Sequence, residues 1–118
     1  MAFRFQKFPI YQEIKSYIKA IYQISSGFPK EEQFGISNQL RRAAVSIALN
    51  LAEGSDRGSD REFAHFVQIS IGSLNETVAI LDISQNNGFI SQQNYDIMAK
   101  SAENIVKQLS GLRKTLRN

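Results

Sequence analysis

Few side chains in this 118-residue chain are suited to covalent or acid–base chemistry. The absence of cysteine excludes disulfide bonds, thiolate nucleophiles and thiolate metal ligands. His65 is the only histidine, and it shares a predicted helix face with Arg61, four positions earlier. Some helical ribonucleases pair an arginine with a histidine at a longer spacing on one helix, but no serine here stands beside a plausible base. We therefore predict that the protein is not an enzyme, with a ribonuclease centred on Arg61 and His65 as an alternative.

The loop from residue 53 to residue 62 gathers two aspartates among glycines and serines, which raises the question of a metal site. Asp56 and Asp60 do not have the alternating acidic spacing of a calcium loop. Arg57 and Arg61 also offset their charge. We predict no metal, no cofactor and no small-molecule substrate, while the two arginines could touch RNA.

A polar stripe crosses a predicted helix that is otherwise apolar. At about 100° per residue, the apolar side chains of residues 40–53 cover roughly two thirds of the circumference. A buried arginine or glutamate persists only when it is paired, since stranding one partner costs roughly 3–5 kcal/mol. We predict an internal polar network that fixes helix register or subunit orientation, with a ligand site and simple solvent exposure as alternatives. Its members are Arg42, Ser46, Asn50, Glu53, Asn75 and Glu76.

Positive charge is concentrated at both ends of the chain. The formal net charge is +3, with +4 in residues 1–30, −5 in residues 31–99 and +4 in residues 100–118. Lysines recur every seven residues in the last segment, about 10.5 Å apart along a helix, a spacing that could follow a phosphate backbone. The alternative is a solvated helix face. The predicted nucleic-acid contacts are Lys15, Lys19, Lys100, Lys107, Lys114, Arg113 and Arg117.

Hydrophobic spacing predicts four helices and no strand. The helices should run over residues 9–26, about 37–53 and 60–86, and from Ser91 to near the end of the chain. Gly54 is predicted to end the second helix, and Ser59 to cap the third with Glu62 in a capping box. Short connections favour a single domain over residues 1–118, an all-α, antiparallel up-down-up-down four-helix bundle.

The second and third helices carry more apolar surface than one chain of this size can cover. The back of the third helix has small and branched residues where lysine and glutamate would be usual. We therefore predict a homo-oligomer. Its interface is predicted to include Val45, Leu49, Ile69, Gly72, Ala79 and Ile83.

The composition is that of an ordinary globular domain, with 42% hydrophobic and 21% charged residues. Arg4 and Lys7 interrupt the stretch where a secretory signal needs an apolar run. No window approaches the roughly 18 apolar residues of a membrane span. We expect a cytoplasmic protein without a membrane partner.

Four short motifs resemble those of the four-helix-bundle family of 23S rRNA intervening-sequence proteins, whose reading frames lie inside insertions in large-subunit rRNA genes. The motifs occupy residues 39–47, 50–54, 59–63 and 72–76, and the likeness extends over nearly the whole chain. The resemblance implies a bacterial, ribosome-associated homopentamer of four-helix bundles that binds RNA or another nucleic acid.

Two positions depart from the pattern of the family. Ala48 stands where the family often has proline, and Tyr11 where it often has tryptophan. Neither change removes a chemical group that a mechanism would need. The alternative to RNA binding is an oligomeric adaptor for a protein partner, such as a reverse transcriptase or a ribosomal component.

Overall fold

A computed structural model describes residues 3–117 and contains four α-helices within that range. Two short 3-10 turns, Arg4–Lys7 and Lys30–Glu32, precede α1 and α2. No strand occurs in the described part, and the predicted all-α, four-helix fold is confirmed. The helices are α1 (Pro9–Ser25), α2 (Ile36–Ser55), α3 (Asp60–Asn86) and α4 (Gln92–Arg117).

One hydrophobic core runs along a bundle of 43 × 25 × 21 Å. Helix α3 packs against both α2 and α4, and α1 packs against α2 and α4. Six positions of α3 that recur at steps of three and four residues are all buried, because this spacing keeps them on one helix face. These positions are Phe63, Val67, Ser70, Leu74, Thr77 and Leu81.

The corner between α2 and α3 differs from the prediction. Helix α2 continues through Gly54 and ends at Ser55. A Cβ atom on Gly54 would lie 2.6 Å from Cβ of Phe66 and 2.9 Å from Cδ1 of Phe63. The prediction that Gly54 ends the helix is therefore wrong, since this glycine instead lets α3 approach the backbone of α2.

The beginning and end of α3 are closed locally. The hydroxyl of Ser59 accepts a hydrogen bond from the backbone N–H of Glu62 at 3.1 Å, as predicted for the cap, but the Glu62 side chain does not make the return bond of the predicted capping box. At the other end Gly88 has φ +77°, and its N–H donates to the carbonyl of Gln85. The N–H of Phe89 donates to the carbonyl of Ser84 at 2.8 Å. These two bonds form a Schellman motif, which favours glycine at the left-handed position.

Two arginines close the carboxyl ends of helices from a distance. Arg41 of α2 donates to the hydroxyl of Ser25 at 2.7 Å and to the carbonyl of Tyr22 at 3.3 Å. Arg4 donates to the carbonyl of Ser55 at 3.2 Å. Both guanidinium groups thus satisfy carbonyls in the last turns of α1 and α2 and place positive charge at the negative helix ends.

A buried polar pair joins α1 to α3. The hydroxyls of Tyr17 and Thr77 lie 2.7 Å apart, and Thr77 donates to the carbonyl of Leu74. The Tyr17 hydroxyl is therefore the donor to Thr77. Burial raises the pKa of Tyr17 from 10.0 to about 12, although the hydrogen bond with Thr77 opposes this rise and Tyr95 adds to it.

By length and composition alone, α3 is apolar enough to cross a membrane, as the buried core helix of a bundle can be. The prediction that no segment comes near this limit is corrected accordingly. Apolar residues on the outward side of the helix, such as Ile69, Ala79 and Ile83, add to those on its core side. The outward apolar residues that raise the hydropathy of α3 are therefore the same residues that are predicted to contact another subunit.

Candidate nucleic-acid interface

The predicted lysine contacts lie on the surface of two neighbouring helices. Lys15 and Lys19 are exposed on α1, and Lys100, Lys107 and Lys114 are exposed on α4. The carboxylate of Glu13 on α1 accepts hydrogen bonds from Asn104, at 3.1 Å, and from Gln108. These bonds hold the two lysine-bearing helices side by side.

A shallow depression on α4 contains part of this surface, and we call it the lysine groove. It has a volume of about 480 Å³, and its charged lining residues are Lys100, Lys107 and Glu103. The lining therefore has a net charge of +1. One carboxylate among two ammonium groups makes this a weakly basic surface.

A larger groove gathers arginines that lie far apart in the sequence, and we call it the arginine groove. It has a volume of about 710 Å³ between the first turns of α3 and the last turns of α4. Its polar and charged lining residues are Arg57, Arg61, Glu62, His65, Gln68, Arg113 and Arg117, with Ala64 and Phe66 beside them. The sequence marks each part by arginines four positions apart, but it does not show that the parts meet.

The arginine groove concentrates positive charge. Four arginines and one glutamate give its lining a net charge of +3, with His65 neutral, which equals the net charge of the whole chain. Among residues 3–117, the structure contains a salt bridge for Arg57 and none for Arg61, Arg113 or Arg117. Three guanidinium groups therefore remain able to bind an anion, and their planar donor geometry suits phosphate.

Arg57 is held in place against an aromatic ring. Its guanidinium lies 4.7 Å from the ring centroid of Phe66 and pairs with the carboxylate of Glu53. The side chain of Arg57 remains 39% exposed in this position. The exposed ion pair adds little stability, and the contact with the ring places the guanidinium beside the groove.

The predicted internal polar network is smaller than expected within one chain. Asn50 donates to the carbonyl and hydroxyl of Ser46, and the hydroxyls of Ser46 and Ser73 lie 2.9 Å apart. The remaining predicted members lie on the surface, because one chain leaves the outer side of α2 and α3 uncovered. These exposed members are Arg42, Glu53, Asn75 and Glu76. Within one subunit, the six-residue network is thus reduced to Ser46 and Asn50, with Ser73 added.

The predicted subunit interface forms an uncovered apolar face on α2 and α3. Leu49 is 62% exposed, Ile69 39% and Ile83 51%. Gly72 and Ala79 are also exposed, and Val45 is half-buried. Since the Ser46–Ser73 pair joins α2 to α3 between these residues, both helices contribute to one face.

The described residues contain no group of three or more His, Asp or Glu side chains placed to hold a metal ion. Asp56 and Asp60 are both exposed in the α2–α3 corner. The ring of His65 packs against that of Phe66, with the ring centroids 5.9 Å apart. This end of the bundle therefore presents arginine side chains for charge and hydrogen bonding, and the imidazole of His65 for hydrogen bonding.

Comparisons with known proteins give one family and one fold. The family model described as 23S rRNA-intervening sequence protein matches residues 6–111. A crystal structure of a protein of unknown function from the S23 ribosomal protein family of Bacteroides thetaiotaomicron VPI-5482 superposes with a TM-score of 0.81 at 22% identity. The alignment covers 89% of this chain and 95% of that one, and the likeness is one of fold. A search of curated proteins finds no match.

Proposed function

Because the chain belongs to the 23S rRNA-intervening sequence protein family, we propose that it is a non-enzymatic homo-oligomer that contacts RNA through the basic outer surfaces of its four-helix bundle. The observation that carries the proposal is a division of the surface. The uncovered apolar residues predicted for subunit contact lie on α2 and α3, while five of the seven lysines lie exposed on α1 and α4 and none lies on α2 or α3. Assembly through α2 and α3 leaves the lysines on the outside.

The apolar face supports assembly through the hydrophobic effect. Each square ångström of apolar surface removed from water contributes roughly 25 cal/mol. Leu49 and Ile83 are more than half exposed in the single chain, at 62% and 51%. A second copy of the chain is always available to cover this face. The family resemblance makes five the expected number of subunits.

The basic surfaces support RNA as the partner. Lysine and arginine at the surface bind phosphates without reading base sequence, and the affinity falls as salt rises. Assembly repeats each weak contact in several copies, which raises the overall affinity without a stronger single contact. The protein then binds structured RNA with little sequence preference.

Two measurements on the purified chain test the proposal. Light scattering gives the native mass, which we expect to be a multiple of the 13.3 kDa chain. A gel-shift titration against structured RNA should show binding at about 50 mM salt that weakens strongly by about 200 mM. An intact oligomer that binds no RNA at low salt would contradict the RNA assignment, and a well-folded monomer at high concentration would contradict the assembly.

An acidic groove favours a protein adaptor as the second candidate. A cavity of about 820 Å³ between α3 and α4 is lined by apolar residues and by Asn75, Tyr95, Asp82, Glu103 and Lys107, which give it a net charge of −1. This lining repels phosphate and suits a protein surface with apolar and basic residues. A partner protein that stays bound after nuclease treatment and at high salt would favour the adaptor over RNA binding.

A further inference from the structure

We propose that the arginine groove is the principal RNA site of this chain and holds consecutive backbone phosphates of an unpaired strand. The inference rests on the proposed function, because it names the part of the surface that binds and the form of RNA that fits. It departs from the sequence-based expectation that the lysines of α1 and α4 make the main contacts.

The arginine groove and the lysine groove differ in net charge and in volume. The lining of the arginine groove has a net charge of +3 in about 710 Å³, and that of the lysine groove +1 in about 480 Å³. A groove with an excess of positive charge raises the local concentration of the opposite charge. A strand that meets both grooves therefore binds more strongly in the arginine groove.

The number of guanidinium groups indicates more than one phosphate. A phosphodiester has one negative charge, and one arginine can bind it with two parallel hydrogen bonds. Arg61, Arg113 and Arg117 come from two helices and face the same space. A volume of about 710 Å³ lies in the range of ligand pockets, about 300–1,000 Å³. Consecutive phosphates of one strand therefore match both the positive charge of the groove and its volume.

The stacked arginine favours an unpaired strand. Bases of single-stranded RNA stack on aromatic rings and on guanidinium planes, whereas bases inside a duplex are already stacked on each other. The ring of Phe66 supports the guanidinium of Arg57 at 4.7 Å, and this side chain is 39% exposed. The exposed part of the Arg57 side chain borders the groove, where a base of an unpaired strand can pack on it while the neighbouring arginines bind phosphates.

Glu62 is the only carboxylate that lines the groove in the described structure. It lies in the first turn of α3, where only its backbone N–H takes part in the cap formed by Ser59. Its charge opposes phosphate binding. Replacing it with glutamine keeps the shape and removes the repulsion, so that E62Q should bind RNA more tightly.

The test compares charge removal in the two grooves by fluorescence anisotropy with a labelled, unstructured RNA of about 15 nucleotides. R113Q/R117Q removes two charges from the arginine groove, and K100Q/K107Q removes two from the lysine groove. We expect the arginine variant to lose at least about tenfold in affinity and its salt slope to fall by about 1.4, the value for two contacts to a single strand. The lysine variant should lose less than about threefold, and E62Q should gain about twofold or more.

Controls separate a failure of this inference from a failure of the proposed function. Circular dichroism and native mass must match those of the unchanged protein for each variant. Binding by the unchanged protein that K100Q/K107Q weakens as much as R113Q/R117Q would overturn the arginine groove and leave the proposed function standing. Tighter binding to a hairpin duplex of the same length would overturn the unpaired strand. An unchanged protein that binds neither RNA at low salt overturns both proposals.

Discussion

At the scale of single residues, Gly54 has a steric role that its sequence context does not reveal. Glycine near a helix end usually adopts the left-handed conformation, which is why the sequence favours a helix end at this position. In the structure, Gly54 belongs to the last turn of α2 and contacts Phe63 and Phe66 of α3. The contact joins residues on either side of the turn between α2 and α3. The local sequence pattern does not show how closely the two helices approach each other there.

We expect Gly54→Ala to destabilise the protein by about 1–3 kcal/mol, the usual cost of overpacking. The added methyl group would lie 2.6 Å from Cβ of Phe66, an atom close to the backbone that cannot turn away. The matched control is Gly111→Ala in α4, where a Cβ atom meets nothing within 4 Å and which should stabilise by about 0.5–1 kcal/mol. Urea unfolding at one fixed protein concentration measures both, and equal changes would contradict the steric explanation.

Tyr17 should make stability depend on pH in the alkaline range. Burial keeps this hydroxyl protonated, so its pKa of about 12 in the folded state exceeds the unfolded value of 10.0. The stabilisation is complete below pH 10 and is lost as pH rises toward 12, because the unfolded chain then binds fewer protons than the folded one. Two pH units correspond to about 2.7 kcal/mol.

The measurement compares unfolding free energies of the unchanged protein and Tyr17→Phe between about pH 9 and pH 12. We expect the variant to lose about 1 kcal/mol at pH 9, because its hydrogen bond to Thr77 is gone. Its stability should then decline less with pH than that of the unchanged protein. Parallel declines would show that the Tyr17 hydroxyl does not carry the alkaline sensitivity.

At the scale of helices, the ends that depend on neighbouring residues were predictable and those that depend on distant residues were not. Ser59, three residues before Glu62, indicates the start of α3. Arg41, in contrast, stands alone among apolar residues of α2, and its acceptors lie in the last turns of α1, 16 and 19 residues earlier. The same limit applies to the arginine groove, whose two pairs of arginines are brought together by the packing of α3 on α4.

We expect Arg41→Ala to destabilise the protein by about 1–2 kcal/mol, because the last turn of α1 loses two hydrogen bonds and the guanidinium that lies 4.7 Å from the ring of Tyr22. Lys19→Ala, which truncates an exposed side chain on α1, is the control and should stay within about 0.5 kcal/mol. Thermal unfolding followed by circular dichroism compares the two. A change for Arg41→Ala no larger than that of the control would mean that the guanidinium does not close α1.

At the scale of the whole molecule, the lysines and the apolar residues predicted for subunit contact lie on different helices. The four helices and their core follow from residue periodicity, which is why they could be predicted from one sequence. A contact between subunits cannot be read from the structure of one chain. It stays a prediction based on the exposed apolar residues of α2 and α3.

We expect Ile83→Glu to reduce the native mass to that of the 13.3 kDa chain. Ile83 is 51% exposed on the face predicted for assembly, and a glutamate buried there would be unpaired. Ile97→Glu is the matched control, since Ile97 is 58% exposed on α4, outside that face. Light scattering gives the native mass of both variants. Loss of assembly by Ile97→Glu alone would place the interface on α4 instead.

The anchoring of Arg4 has a consequence for the connectivity of the fold. Arg4 binds the carbonyl of Ser55, while Arg117 lines the same groove as Arg57. The start and the end of the described chain therefore lie at the same end of the bundle. Proteins with neighbouring termini tolerate circular permutation. A gene that links these ends by a short flexible peptide and opens the chain between residues 30 and 35 encodes the helices in the order α2, α3, α4, α1. Such a protein retains the hydrogen bonds of Arg4 to α2 and of Arg41 to α1.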